Sequence, residues 1–233
     1  MRQGVRTDMK KLIHPAIFGR DIKAFFTGKN PGAEIDAISE VASVPKENIY
    51  MPLQKHTDKI LVLDSDFEPK IADAVITNER GIVIGVQVAD CVPLLLCDMK
   101  RHIIGAVHAG WRGTAEGILK KAVKALTERF HSAPTDIVVA VGPSIRWCCY
   151  EVGYEIIESV RKATGDGDYF MTKGGKYCLD LQSANKHQAI SIGILEKNIW
   201  LSEECTYCLP DQYYSYRYAK GPTGRQGGFI GIV

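Results

Sequence analysis

The stretch GIVIGVQVADCVPLLLCDMKRHIIGAVHAGWRGT, residues 81–114, decides the fold. It contains three apolar runs, GIVIGVQV, VPLLLCD and HIIGAVH, each too short for a typical helix and bounded by polar or turn residues. Apolar runs with so few polar interruptions mark strands buried on both faces. The polar turn Asp98–Arg101 joins the second and third runs as a hairpin. With the loop centred between Met99 and Lys100, cross-strand partners sum to 199, and Cys91 faces His108 with Cβ atoms about 4.5–5.5 Å apart. Met-Lys suits a two-residue I′ turn poorly, so a four-residue loop of the same register is expected.

Outward from the hairpin, LVL and ADAVIT upstream and DIVVAVG downstream add further short strands. Between HIIGAVH and DIVVAVG, Ile118, Leu119, Ala122, Val123, Leu126 and Phe130 recur at helical spacing. This predicts a helix over 114–130 with Thr114 as its cap and Glu116 in its first turn. Three more helices are expected over 34–44, 154–163 and 181–197, the last capped by Asp180. YYSYRYA and GGFIGIV read as strands around a GPTGRQ turn, and residues 1–50 are the least regular part. The expected class is α+β, a mixed β-sheet flanked by helices, in one catalytic domain over residues 1–233.

Composition narrows the function. Apolar residues make up 45% and charged residues 24%, with a formal net charge of +2, so bulk electrostatics give no reason to expect a nucleic-acid partner. No apolar run reaches membrane-spanning length, which gives no reason to expect a membrane partner. MRQGVRTDMKKLIHP has no apolar core of a secretory signal. The expected location is the cytoplasm. There the seven cysteines, an odd number without framework spacing, are thiols or metal ligands. Cys97 falls inside a strand and reads as core. Adjacent Cys148 and Cys149 do not bond to each other. Cys205-x-x-Cys208 is followed by no second ligand pair and so is not read as a zinc knuckle.

Cys91 and His108, brought together by the hairpin, need a third ligand to make a metal site. His56, between a polar stretch and a strand, is the best placed of the other histidines. One Cys and two His leave the fourth position of a tetrahedral zinc open, the arrangement of a catalytic ion that acidifies a water. Gly110 and Gly113 let the backbone after His108 approach a ligand, and Arg112 adds a cation, so the junction reads as an anion cradle at a helix N-terminus. Arg225 in the Gly-rich turn is a second candidate cation. Trp111 is a candidate stacking surface, although packing is the safer reading of a single tryptophan. Asp90, beside Cys91, is a candidate proton carrier, and Asp73 a similar carboxylate. The same hairpin also serves a metal-free thiol hydrolase or deamidase with Cys91 as nucleophile and His108 as base. His56 separates the two readings. Copper chemistry on phenols uses His and Cys ligands too, but a multicopper oxidase needs a further histidine cluster, and the remaining histidines are scattered.

ADAVIT, ADCVPLLLCD, GAVHAGWRGTAEGIL, VGPSIRWCCYEVG, LDLQSANKHQ, YSYRY and TGRQGG occur in this order. Together they resemble the YfiH family from about residue 50 to the C-terminus. The resemblance implies a fold like that of the cytotoxic necrotizing factor deamidase domain, and zinc held by His56, Cys91 and His108. It implies phosphorolysis of adenosine, inosine, guanosine and methylthioadenosine, and deamination of adenosine, with a small-molecule nucleoside and phosphate as partners. Family members have also been described as copper-dependent polyphenol oxidases, and some bacterial relatives as acting on an amide of a peptidoglycan precursor. The chain departs from the family pattern at Lys29 and at Arg217-Tyr218-Ala219, where a base or phosphate is expected to be held.

Overall fold

The computed structural model describes residues 10–64 and 66–232. The first nine residues, part of the stretch read above as lacking a secretory core, lie outside them. In chain order the first elements are β1 (Leu12–Ile13), β2 (Ile22–Thr27), α1 (Ile35–Ala42), β3 (Ile49–Tyr50), β4 (Ile60–Val62) and β5 (Ala74–Thr77). There follow β6 (Val83–Val88), β7 (Val92–Asp98), β8 (Ile103–Ala109), α2 (Trp111–Ala115), α3 (Ile118–Phe130) and β9 (Ile137–Val141). The remainder adds β10 (Glu151–Val152), α4 (Tyr154–Thr164), β11 (Phe170–Lys173), β12 (Lys176–Leu179), α5 (Leu181–Ser191), β13 (Ile199–Leu201), α6 (Tyr216–Ala219) and β14 (Gln226–Ile232).

Six strands form a mixed sheet in the order β13-β9-β7-β8-β5-β4, and five form a second in the order β1-β2-β14-β6-β3. Strands β10, β12 and β11 make a small antiparallel ribbon. Alternation along β7 explains its unbroken apolar run. Leu94 and Leu96 share a core with Ile118, Leu119, Ala122 and Leu126 of α3. Leu95 and Cys97 meet Phe26, Ile84, Val86 and Ile230 of the second sheet. The three leucines are fully buried, and each contributes about 1.5–3 kcal/mol by leaving water. On the outer face of the second sheet, Ile38 and Ala42 of α1 pack against Phe25, Val83 and Phe229. The α+β class expected from the sequence is the one observed, with sheet on sheet and helices outside.

Five local expectations are corrected. Partners across the β7–β8 hairpin sum to 201, because Asp98 pairs with Ile103 and Pro93 with His108. The loop is Met99–His102, one residue later than expected. Asp98 Oδ1 accepts from the N–H groups of Lys100 (2.9 Å) and Arg101 (3.0 Å), and His102 takes φ 53° to return the chain. Each partner moves by two residues, which preserves the face, so Cys91 lies diagonally from His108 rather than opposite it. The single helix over 114–130 is two helices, because Gly117 takes φ 69° between them. Thr114 is not a cap: it is buried inside α2, and its Oγ1 accepts from Asn185 Nδ2. Helix α5 keeps the expected Asp180 cap, which accepts from Gln182 and Ser183 N–H, but ends at Ser191 ahead of Gly193 at φ 93°. YYSYRYA is no strand: Ser215 Oγ accepts from Tyr218 N–H and starts the short helix α6.

Candidate metal centre and its cleft

Two connections cross from the second sheet to the first. Residues 51–59 lead from β3 to β4, and residues 89–91 lead from β6 to β7. His56 lies in the first crossing and Cys91 ends the second. Gln54 ties the first crossing to β6: its Nε2 donates to Gln87 O and its Oε1 accepts from Gln87 N–H, both at 2.8 Å. His56 and Asp90 hold φ of 57° and 85°, conformations that persist only where the surroundings over-determine them.

His108, at the end of β8, completes the group. Cys91 Sγ lies 3.9 Å from His56 Nε2. The two imidazoles are 4.7 Å apart between centroids, nearly perpendicular. One ligand atom from each of the three residues lies within 4.8 Å of the others. Gly110 makes room for this: a Cβ there would sit 3.0 Å from Cys91 Sγ and 3.3 Å from His56 Cδ2. The donor set fits a metal ion, because the ligand atoms converge and no side chain at Gly110 fills the space beside them.

The organising residue is Asp73, fully buried just ahead of β5. Its Oδ1 accepts from His108 Nδ1–H at 2.7 Å and from His56 N–H at 3.0 Å. Its Oδ2 accepts from the N–H groups of Lys55 and Thr57 and from Thr57 Oγ1 at 2.7 Å. One carboxylate thus fixes the ring of one metal-facing histidine and the loop of the other, leaving His108 Nε2 free for a ligand. Burial works against the Asp73 charge, but the hydrogen bonds from His108 and Thr57 outweigh it and hold the carboxyl well below the usual range.

Burial likewise pushes the Cys91 thiol up, yet the charge and hydrogen bond of His108, with help from His56, hold it at about 6. Burial opposes the charge on His108, while Cys91 and Asp73 raise it to about 9. Both shifts favour a thiolate–imidazolium pair in metal-free protein. In chelated protein, Cys91 is expected to react with iodoacetamide well ahead of Cys97, whose thiol burial pushes up to about 12. Its labelling rate, followed by peptide mass mapping, should fall about tenfold per pH unit below about 6. A rate still climbing up to the ordinary thiol range near about 8.5 would contradict the pairing.

The three residues open onto a cleft of about 940 Å³. Lys55, Arg112, Arg217 and Arg225 line it, as do Trp111, Tyr150 and Tyr216. Arg112 is exposed, its guanidinium 4.4 Å over the Trp111 ring. Arg225 donates to Thr223 O and Gly224 O within its own turn. The cradle expected after His108 is reduced, because α2 has only five residues; the side-chain cations are the stronger anion-holding feature. Asp90 lines the cleft with Oδ1 accepting from Thr206 Oγ1 (2.7 Å) and Oδ2 from Arg217 N–H (2.8 Å). Lys29 lies elsewhere, 5.5 Å over the Tyr214 ring. Sequence reasoning missed Tyr150 and Lys55, underrated Asp73, and met Arg217 only as a departure from a pattern. Arg217 also donates to Glu151 O and stacks 5.1 Å over Tyr150.

Among the described residues, His56 and His108 are the only histidines in a cluster with metal-ligand geometry. No described helix is long and apolar enough to cross a membrane.

Comparison with known proteins identifies the family. Residues 32–233 match the family described as multi-copper polyphenol oxidoreductase laccase. A purine nucleoside phosphorylase of Aquifex aeolicus (strain VF5) is 43% identical over 176 residues, covering 75% of this chain and 79% of that protein. An adenosine deaminase from an unknown prokaryotic organism is 36% identical over 203 residues, covering 81% and 76%. The crystal structure of YlmD from Geobacillus stearothermophilus superposes with a TM-score of 0.85 at 30% identity, covering 91% of this chain and 92% of that one.

Proposed function

The chain belongs to the family described as multi-copper polyphenol oxidoreductase laccase, and within it we propose a zinc-dependent enzyme of purine nucleosides. The observation that carries this is the convergence of His56, Cys91 and His108 in a cleft lined by cations and aromatic rings. The proposed reactions are phosphorolysis of adenosine, inosine, guanosine and methylthioadenosine, and deamination of adenosine. One relative named for the phosphorylase activity and another named for the deaminase activity support the pair.

Zinc bound by the three residues would supply Lewis acidity for activating water and polarising the purine. The chain supplies the rest. Asp73 keeps the His108 proton on Nδ1, so Nε2 remains a donor of its lone pair. Arg112, Arg217, Arg225 and Lys55 hold phosphate against the ribose. In phosphorolysis a phosphate oxygen bonds to C1′ while the C1′–N9 bond breaks and the purine takes up a proton. In deamination water adds at C6 and ammonia leaves. Asp90 is the carboxylate in the cleft assigned to proton transfer in either reaction. Trp111 and Tyr150 offer faces to the base. A multicopper oxidase reading has less support, because no further histidine cluster is found among the described residues.

One observation favours a second reading. Cys91, His108 and Asp73 also stand in the order of a nucleophile, base and orienting carboxylate. The test is elemental analysis of tag-free protein, with adenosine and phosphate turnover followed before and after chelation. Zinc removal is expected to abolish nucleobase release and inosine formation, and zinc re-addition to restore them. Activity that survives chelation but not alkylation would transfer the role of Cys91 from ligand to nucleophile.

A further inference from the structure

Four of the seven cysteines converge outside the cleft. Cys148 and Cys149 lie in the turn after β9, and Cys205 and Cys208 in the turn after β13. Far apart in sequence, the two pairs meet because the turns are laced together. Thr206 N–H donates to Ser144 O at 3.1 Å, Ser202 N–H donates to Val141 O at 2.9 Å, and Ser144 bridges to Cys205. The second ligand pair that Cys205-x-x-Cys208 lacks downstream is thus supplied from upstream.

The four sulfurs are close enough together to surround one ion. Cys208 Sγ lies 3.6 Å from Cys148 Sγ and 3.3 Å from Cys149 Sγ. All four sulfurs lie within 4.8 Å of one another, and all four are free thiols. Four thiolates bonded to zinc at about 2.3 Å stand about 3.8 Å apart. Arg146 N–H points at Cys205 Sγ from 3.4 Å, the backbone donor that a coordinating thiolate accepts. We propose that Cys148, Cys149, Cys205 and Cys208 hold a second zinc ion whose role is structural. Four protein ligands leave no open position, so the ion does no chemistry on substrate. Soft sulfur donors exclude magnesium and calcium. On binding, each thiol gives its proton to solvent and its sulfur to the metal.

Its place in the molecule explains why a staple is useful there. Cys149 precedes Tyr150, which lines the cleft, and Cys205 precedes Thr206, whose hydroxyl holds Asp90. Metal at the four sulfurs would lock two turns that set one wall of the catalytic cleft. The site is independent of the proposed activity, and the experiment keeps the two apart.

The His56→Ala variant, purified under reducing conditions and dialysed against zinc and then metal-free buffer, removes the cleft site and leaves the four cysteines intact. It is expected to retain about one zinc per chain where the wild type holds about two. A mercurial thiol reagent should release that zinc together with the thiols of the four cysteines. Cobalt put in its place should show the charge-transfer bands of a four-sulfur tetrahedral site, and Cys208→Ser in the same background should abolish them. A His56→Ala protein that holds no zinc, holds copper instead, or carries a Cys149–Cys208 disulfide overturns the proposal. So does a cobalt spectrum without tetrathiolate bands. Wild-type protein, assayed in parallel for two zinc ions, keeps the test valid if the variant folds poorly.

Discussion

The His56→Ala variant is expected to lose at least about 100-fold in turnover of adenosine with phosphate, together with the metal held in the cleft. The magnitude follows from the cost of disturbing even an outer-shell partner of a metal ligand, about 10–100-fold in affinity or activity; losing a ligand itself costs at least the upper end. The substitution is clean for two reasons. His56 is exposed in a crossing loop, so its removal leaves no buried cavity. Its backbone sits at φ 57°, and histidine and alanine both carry the Cβ that strains this conformation. The loop is held from below by Asp73 and Gln54, neither of which uses the His56 ring. His56→Ala also separates the two chemistries that the cleft supports. A thiol hydrolase would keep Cys91, His108 and the Asp73 that orients it, and would lose only the minor help His56 gives the thiolate. Under that mechanism kcat/KM would change little, and the variant would remain sensitive to alkylation. Measuring metal content and kcat/KM on the same preparation decides between them.

How much of this was legible in the sequence depends on the range of the signal. The strands around Cys91 and His108 were readable because burial on both faces leaves a continuous apolar run, and the placing of the two residues on one face survived a wrong register, although they lie diagonally rather than opposite. The error was two residues, and a β-strand repeats every two. Asp98 set that error: its side chain caps the turn, a detail that composition does not distinguish from a plain polar loop. Gly117 was visible but its positive φ was not, so one helix was expected where two form. YSYRY has strand composition and becomes helical through the Ser215 cap and the Arg217 N–H bond to Asp90. Residues acting over long separations were least legible. Asp73 reaches His108 across 35 positions, and Cys149 reaches Cys208 across 59. Nothing local marks either pairing, and only the sheet order brings them together.

Asp73 is the residue whose loss should be felt most widely. Asp73→Ala is expected to destabilise the metal-free protein by about 3–5 kcal/mol, the range for removing one partner of a buried charge pair. It should also weaken zinc binding in the cleft by about 10–100-fold or more. The deletion strands His108 Nδ1–H, three successive backbone N–H groups and the Thr57 hydroxyl without an acceptor. Asp73→Asn is no rescue, because both carboxylate oxygens face donors and the amide NH₂ must point at one set of them. The pH dependence tests the charge itself. Asp73 is held below the ordinary carboxylate range, so its contribution is present above the unfolded value of about 3.9 and is lost as pH falls towards the folded one. His108 is raised to about 9, so its contribution is complete below about 6.5 and is lost as pH rises through about 9. The stability gap between wild type and Asp73→Asn, followed by urea denaturation of chelated protein, should therefore be widest between those limits and close towards both ends. A gap that stayed constant from acid to alkaline pH would mean that Asp73 acts only through the shape of its hydrogen bonds, and that the charge shared with His108 contributes nothing to holding the site together.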